Sequence, residues 1–370
     1  MPEAAPTSVE SRIPADDVLL EIQGLKTHFN LDEGLVRAID GVDFDIRRGQ
    51  TLCVVGESGC GKSMTARSIL QIVQPPGKVV AGQMLFHRRD GEHGDRVVDL
   101  ARLDPKGKEI RTIRGKEISM IFQEPMTSLS PVHTVGNQIA ETVILHEGLS
   151  KQAAKDRAIE MLGYVGIPRP QERIDSYPFE MSGGMRQRAM IAMALACTPT
   201  LLIADEPTTA LDVTTQAQIL ELIQRLKDEF DMAVMLITHD LGVVAEVADD
   251  VVVMYLGQVV EQGSVDDIFH DPKHPYTRAL LKSIPRLGQA RQRRLDSIAG
   301  MVPSSFDRPS GCPFHTRCPS FMPGRCDRIE PDVTKLGPAR NVRCLLYEPD
   351  RLASDEADRR DLAATPGATA

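Results

Sequence analysis

The run Gly56-Glu57-Ser58-Gly59-Cys60-Gly61-Lys62-Ser63 constrains this chain more than any other stretch. It follows the apolar segment Thr51–Val55 and precedes a helical segment, the layout of G-x-x-x-x-G-K-[ST] between a buried strand and a helix. Glycines at this spacing let consecutive N–H groups turn inward around phosphate oxygens, and the following helix adds the positive end of its dipole. Lys62 can then reach β- and γ-phosphates, and the Ser63 hydroxyl can ligate Mg²⁺, with Met64 next in the helix. The competing reading is a chance Gly-rich turn, which the strand–loop–helix context disfavours. Cys60 reads as a loop thiol without chemistry of its own.

A second feature fits the first. Leu201-Leu202-Ile203-Ala204-Asp205-Glu206 is an apolar strand ending in two carboxylates, and ligands in open α/β sheets sit at such strand ends. Asp205 is placed to hold Mg²⁺ through its water shell, and Glu206 to orient and deprotonate an attacking water. Alone, this would read equally well as a strand end with solvated acids.

The rest of the chain supports an α/β class. Thr51–Val55, Leu201–Ala204 and Ala233–Thr238 read as buried strands, and Val251–Tyr255 with Gln258–Glu261 as a hairpin split at Gly257. After Leu211, the residues Ile219, Leu222, Ile223, Leu226 and Phe230 recur at helical spacing, with Asp212 as the cap. Strands alternating with helices predict a mainly parallel sheet. The expected division is a disordered N-terminus over 1–17, a nucleotide-binding domain over 18–264 with a helical subdomain over about 125–188, an extension over 265–350, and a disordered tail over 351–370.

Composition removes several function classes. With 43 Lys and Arg against 52 Asp and Glu, the net charge of −9 and the lack of a basic block argue against nucleic acid as a partner. Pro199 interrupts the uncharged stretch Ala189–Ala204, and a membrane span needs about 20 apolar residues. The N-terminus lacks the basic and apolar regions of a signal peptide, so a cytoplasmic protein is expected and the seven Cys read as thiols or metal ligands before disulfides.

Between the two phosphate-site motifs lies Met181-Ser182-Gly183-Gly184-Met185-Arg186-Gln187-Arg188, and with it the chain resembles the nucleotide-binding subunit of an ABC transporter, whose signature is LSGGQ. It is most similar to the ATPases of dipeptide and oligopeptide importers, a likeness that covers roughly residues 18–347. The resemblance implies a P-loop ABC ATPase fold: a RecA-like mixed or parallel sheet core, a helical subdomain, and a small Cys-rich C-terminal extension. It implies that Gln123 is the Q-loop residue that ligates Mg²⁺ and senses the membrane partner, that Asp212 belongs to the D-loop after Ala210-Leu211, and that His239 is the switch histidine. Phe29 stands where the family has an aromatic stacked on adenine, although it could equally be a core residue. Met185 replaces the signature glutamine, while Ser182 and the N–H groups of Gly183 and Gly184 remain for a γ-phosphate. A helix opening at Ser182 presents a positive end that needs an anion, and the chain's own phosphate loop lies elsewhere. In the family that anion is ATP on the opposite subunit.

The partners implied are two transmembrane permease subunits, a second ABC ATPase that would make a heterodimer, and, indirectly, an extracytoplasmic substrate-binding protein. The expected location is peripheral, at the cytoplasmic face of the cell membrane. His274-Pro275-Tyr276 resembles the HPY segment of peptide and nickel importer ATPases, so peptide import is expected, with nickel import as the alternative. A soluble ABC ATPase acting on DNA or the ribosome, or a protein of iron–sulfur assembly, are rivals that one cassette, no sustained heptads and a negative charge disfavour. Cys312, Cys318, Cys326 and Cys344 follow as C-x5-C-x7-C-x17-C, without the close pairs of zinc knuckles. Thiolates on such Pro-stiffened loops suit a [4Fe–4S] cluster; some relatives carry one, so that cluster is expected. Zinc and buried thiols remain the other readings.

Overall fold

The computed structural model describes residues 17–89, 95–123, 128–209, 211–283 and 298–348. The terminal segments expected to be disordered lie outside these residues, apart from Asp17.

The fold is built on an eight-stranded sheet. Its parallel centre runs in the order β9 (Asp250–Tyr255), β3 (Thr51–Val55), β8 (Ala233–Ile237), β7 (Leu201–Asp205) and β6 (Ile118–Ile121). Every residue of β3, β7 and β8 is buried, as the unbroken apolar runs require of strands covered on both faces. Alternate β3 residues enter two different cores. Leu52 and Val54 pack with Leu19, Phe44 and Phe86. Cys53 and Val55 pack with Ala192 and Ile219 from the helical side.

The first of those cores is closed by a second, antiparallel sheet. It is made by β1 (Val18–Leu31), β2 (Gly34–Arg47), β4 (Gly77–Arg88) and β5 (Arg96–Asp99) in the order β2-β1-β4-β5. This sheet is a feature the sequence reading lacked. Register shifts occur at several points along β1, so its inward residues do not keep a period of two over its 14 residues.

Helix α1 (Lys62–Ile69), which leaves the phosphate loop, and α2 (Lys108–Ile113), which precedes β6, bury Ala66, Ile69, Ile110 and Ile113 in this same core. The helices that follow cover the opposite face. The described residues from 128 to 195 contain no strand and hold α3 (Val135–Glu147), α4 (Lys151–Tyr164), the single turn α5 (Pro170–Arg173) and α6 (Gly183–Leu195). Thr134 and Ser150 cap α3 and α4 through their hydroxyls, and Gly148, at φ +68°, ends α3 in the left-handed conformation. Helix α7 (Val213–Glu229) is capped by Asp212 and buries Ile219, Leu222, Ile223 and Leu226, as its periodicity predicts. Helix α8 (Leu241–Val247) follows β8.

The hairpin expected at Gly257 is present, with β10 (Gln258–Ser264) antiparallel to β9. Beyond it come α9 (Val265–His270) and α10 (Pro275–Lys282), then loops and two short strands, β11 (Thr334–Lys335) and β12 (Asn341–Val342). β12 pairs with β10, Glu261 opposite Val342, so this segment prolongs the main sheet. Cys312, Phe314, Cys326 and Leu345 share one core with Tyr255 and Tyr276.

At the entry to α10, buried Glu261 accepts from the backbone N–H groups of Lys273 (2.6 Å) and His274 (2.8 Å). His274 is fully enclosed, and its Nδ1 accepts from Tyr276 N at 3.0 Å. Burial pushes its pKa down from 6.5 to about 3, so the native chain holds it neutral. Below about pH 6.5 the unfolded chain takes up a proton that the native chain refuses, so this residue lowers stability by about 1.4 kcal/mol per pH unit on acidification. Denaturant titrations between about pH 4.5 and 6.5 should show that His274→Gln reduces the acid slope by about one proton.

Candidate functional site

The site lies at the C-terminal ends of β3, β7 and β8. Gly56 and Gly61 take φ of +150° and +103°. A Cβ on Gly56 would fall 2.3 Å from the Met254 carbonyl oxygen, and one on Gly61 would fall 2.6 Å from that of Ala38. Backbone on both sides therefore demands glycine at these two positions. Ser58 and Gly59 are exposed at the tip, whereas Cys60 is buried and its thiol pushed up by that burial. Lys62 is 5% exposed, its Nζ donating to the carbonyls of Gly56 (2.8 Å) and Glu57 (3.2 Å). The ammonium is thus preset inside the loop, beside N–H groups that can cradle phosphate oxygens.

Ser63 Oγ donates to Asp205 Oδ1 at 2.9 Å, so the two residues expected to serve Mg²⁺ meet directly. Burial pushes Asp205 above the usual carboxylate range, opposed by the bond from Ser63 and the nearby Arg67 and Lys62 charges. The pair fits a Mg²⁺, since a hydroxyl and a carboxylate are the hard oxygen ligands that ion takes. Met64 packs on the core behind α1.

Glu206 is the hub. Its φ of +47° is left-handed for a non-glycine residue, and its N–H donates to Ile237 O at 2.9 Å. Gln123 Nε2 donates to Glu206 Oε2 at 2.9 Å, and His239 Nδ1 stands 3.6 Å from Oε1 with its ring 69% exposed. Three side chains from three separate segments of the chain thus converge. A fourth was missed in the sequence: Thr209 Oγ1 also donates to Glu206 Oε2, at 2.9 Å. A hydroxyl three residues after the carboxylate, on the turn closed by Thr209 N to Glu206 O, was the available signal.

The signature residues stand apart from this cluster. Ser182 caps α6, its Oγ accepting from Met185 N at 3.3 Å, and Ser182 and Gly183 are exposed. Gly184 neighbours Thr215, whose N–H and hydroxyl donate to Asp212 at 3.0 and 2.7 Å and hold that carboxyl below its usual range. Signature and Asp212 therefore form one surface. Ala210, beside it in the sequence, lies outside the described residues, as do Glu124 and Pro125 beside Gln123. Phe29 is half-buried on β1 with its ring edge in the space a side chain on Gly77 would take, so the ring is partly committed to packing.

The iron–sulfur expectation is overturned. Cys312, Cys318, Cys326 and Cys344 do line one cavity, with His274 and Phe314, but it measures only about 10 Å³. Among the described residues no group of three or more His, Cys, Asp or Glu side chains is drawn together so that it could hold a metal ion. Burial pushes Cys312 up to about 12 and Cys344 up to about 11, which keeps both as thiols at neutral pH. These residues do not fit a [4Fe–4S] cluster.

The raised Asp205 pKa has a testable cost. Its ionised form is disfavoured in the native state, so stability falls as pH climbs from the unfolded carboxylate value through the raised native one. Asp205→Asn should raise the melting temperature of the nucleotide-free protein at pH 7 and flatten its fall with rising pH, while removing Mg²⁺-dependent hydrolysis; calorimetry and a phosphate-release assay check both.

Comparison with known proteins places this geometry. Residues 39–209 match the ABC transporter family, and residues 260–326 match the oligopeptide/dipeptide transporter C-terminal region. The probable peptide ABC transporter ATP-binding protein y4tR of Sinorhizobium fredii is 52% identical, covering 90% of this chain and 96% of that protein. The dipeptide transport ATP-binding protein DppD of Bacillus subtilis is 50% identical over 89% of this chain and 95% of its own. Among solved structures, the dimeric bacterial ABC transporter cassette MJ0796 superposes with a TM-score of 0.57 at 25% identity, over 67% of this chain and 99% of that one. With its strand-end carboxylates, phosphate loop and signature helix in this arrangement, the chain belongs to the family of ABC transporter ATP-binding proteins, ATP-hydrolysing enzymes built on the P-loop cassette fold.

Proposed function

We propose that the chain is the ATPase subunit that energises import of di- and oligopeptides, acting peripherally at the cytoplasmic face of a membrane with two permease subunits and a second, related ATPase. The observation that carries the reading is the convergence of Gln123, Thr209 and His239 on Glu206 beside the Ser63–Asp205 pair. The cargo follows from relatives named for peptide and dipeptide transport.

The substrate is ATP. N–H groups of the phosphate loop and the Lys62 ammonium bind its phosphates and oppose the charge that grows on them as the terminal phosphoryl leaves. Ser63 and Asp205 would hold a Mg²⁺ arriving with the nucleotide, which when bound would add positive charge against the phosphates. Glu206 takes the proton of the attacking water; Gln123 and Thr209 both donate to its Oε2 and leave Oε1 turned towards His239. Ser182, Gly183 and Gly184 offer an exposed helix N-terminus to the ATP of the second subunit, with Asp212 beside it.

A cleft of about 740 Å³ supports the permease assignment. Leu70, Met120, Leu145 and Met190 line it with Lys108 and Arg111, and Phe122 in its wall directly precedes Gln123. No helix among the described residues is long and apolar enough to cross a membrane. In this reading the cleft receives a segment of the permease, and any shift of the wall at Phe122 reaches Glu206 through the neighbouring Gln123 amide.

Glu206→Gln should bind ATP with near-normal affinity and lose about 10²–10⁴-fold in turnover; turnover within a few-fold of the parent would exclude Glu206 as the base. Reconstituted in lipid with its permease and partner ATPase, the chain should hydrolyse ATP faster when a dipeptide-loaded binding protein is added. Stimulation by nickel and not by dipeptides would reassign the cargo.

A further inference from the structure

Glu57, the second residue of the phosphate loop, is gripped from several sides, and one of the residues that holds it, Arg317, belongs to no motif described above. Its N–H donates to the Tyr276 hydroxyl at 2.9 Å, and its carbonyl accepts from Lys62 Nζ at 3.2 Å and Cys60 N at 3.3 Å. Its carboxylate meets Arg317 in a two-pronged pair, Nη1 to Oε2 at 2.7 Å and Nη2 to Oε1 at 2.9 Å. Arg317 sits 260 positions away, in the short helical turn His315–Arg317 of the C-terminal segment.

Nothing about Arg317 is incidental to this contact. Its side chain is 3% exposed, and beyond the pair Nε donates to Ala299 O at 3.1 Å and Nη1 also to the Tyr255 hydroxyl at 3.4 Å. The guanidinium carbon lies 5.9 Å from the centre of the Tyr255 ring. Tyr255 in turn packs with Tyr276 and Phe314, the three ring centroids 4.8 to 5.4 Å apart.

A carboxylate in a loop built to receive a triphosphate opposes its ligand. Arg stays charged at all relevant pH values, and its planar fork suits a carboxylate. A buried ion pair is a poor source of net stability, because desolvation offsets the attraction. Its value here is in neutralising and orienting Glu57.

We propose that Arg317 is a positioning residue of the nucleotide site: by pairing with Glu57 it cancels the one negative side chain of the phosphate loop and fixes the first turn of that loop, so the C-terminal segment sets the affinity for ATP. The inference rests on the ATP site and is independent of the cargo.

Nucleotide affinity of the full chain, measured with a fluorescent ATP analogue and Mg²⁺, tests it alongside KM, kcat and melting temperature. Arg317→Ala should weaken binding and raise KM about tenfold with kcat changed less than about twofold, and the loss should shrink as salt rises. Glu57→Gln, which leaves the Arg317 charge unopposed beside the phosphates, should tighten binding about threefold. The double variant should return to within about twofold of the parent. If Arg317→Ala does not fold, Arg317→Gln, which keeps hydrogen-bonding capacity towards Tyr255 and Ala299, carries the same expectation. A fall in melting temperature with unchanged affinity, weaker binding by Glu57→Gln, or a double variant no better than Arg317→Ala would each overturn the proposal.

Discussion

The phosphate loop has no room to be anything else. Two backbone carbonyls, Met254 O at the end of β9 and Ala38 O on β2, occupy the space where side chains of residues 56 and 61 would stand. Hydrogen bonds close the same contact: Gly257 N donates to Cys60 O at 2.9 Å and Asp40 N to Gly257 O at 2.8 Å. The loop is therefore wedged between the antiparallel sheet on one side and the β9–β10 turn on the other. Every group with chemistry is measured from that wedge, because β3 that feeds it is flanked by β8 and β9 and followed outward by β7.

That rigidity contrasts with the strand end opposite. Glu206 departs from β7 at a positive φ, held there by Ile237 and by the turn that brings Thr209 round. The side chain of Gln187, on α6, donates to Pro207 O, and Gln123 reaches Glu206 from the end of β6. The helical region thus holds the backbone next to the general-base candidate by one hydrogen bond, and the end of β6 holds the carboxylate itself by another. A shift of α6 relative to the sheet would pull first on Pro207, the residue after Glu206.

Much of this was legible in the residues. The buried strands, the α7 helix with its Asp212 cap and the hairpin at Gly257 follow from apolar runs, spacing and one left-handed turn, and the structure has them. Loop and acidic strand end were readable because each joins a strict local pattern to chemistry that needs it. What stayed hidden depends on distant pairing. The β1–β4 contact is interrupted by register shifts, Thr209 gains meaning only once Glu206 turns, and the Arg317–Glu57 pair joins positions no spacing rule connects. The cysteine spacing misled, because density in sequence did not become a ligand set in space: Cys312, Cys326 and Cys344 are buried among Phe314 and Leu345.

The pairing of β12 with β10 bears on how the chain could be shortened. Without Asn341–Val342, β10 would be the last strand of the sheet and would offer unpaired N–H and C=O groups from Glu261 and Gln262 to solvent. A cassette cut free of its C-terminal segment would carry an open edge beside an uncovered aromatic cluster, Tyr255 and Tyr276 having lost Phe314. Such a surface templates strand addition by a second molecule, so the segment serves this cassette as a guard against sticking to its own kind.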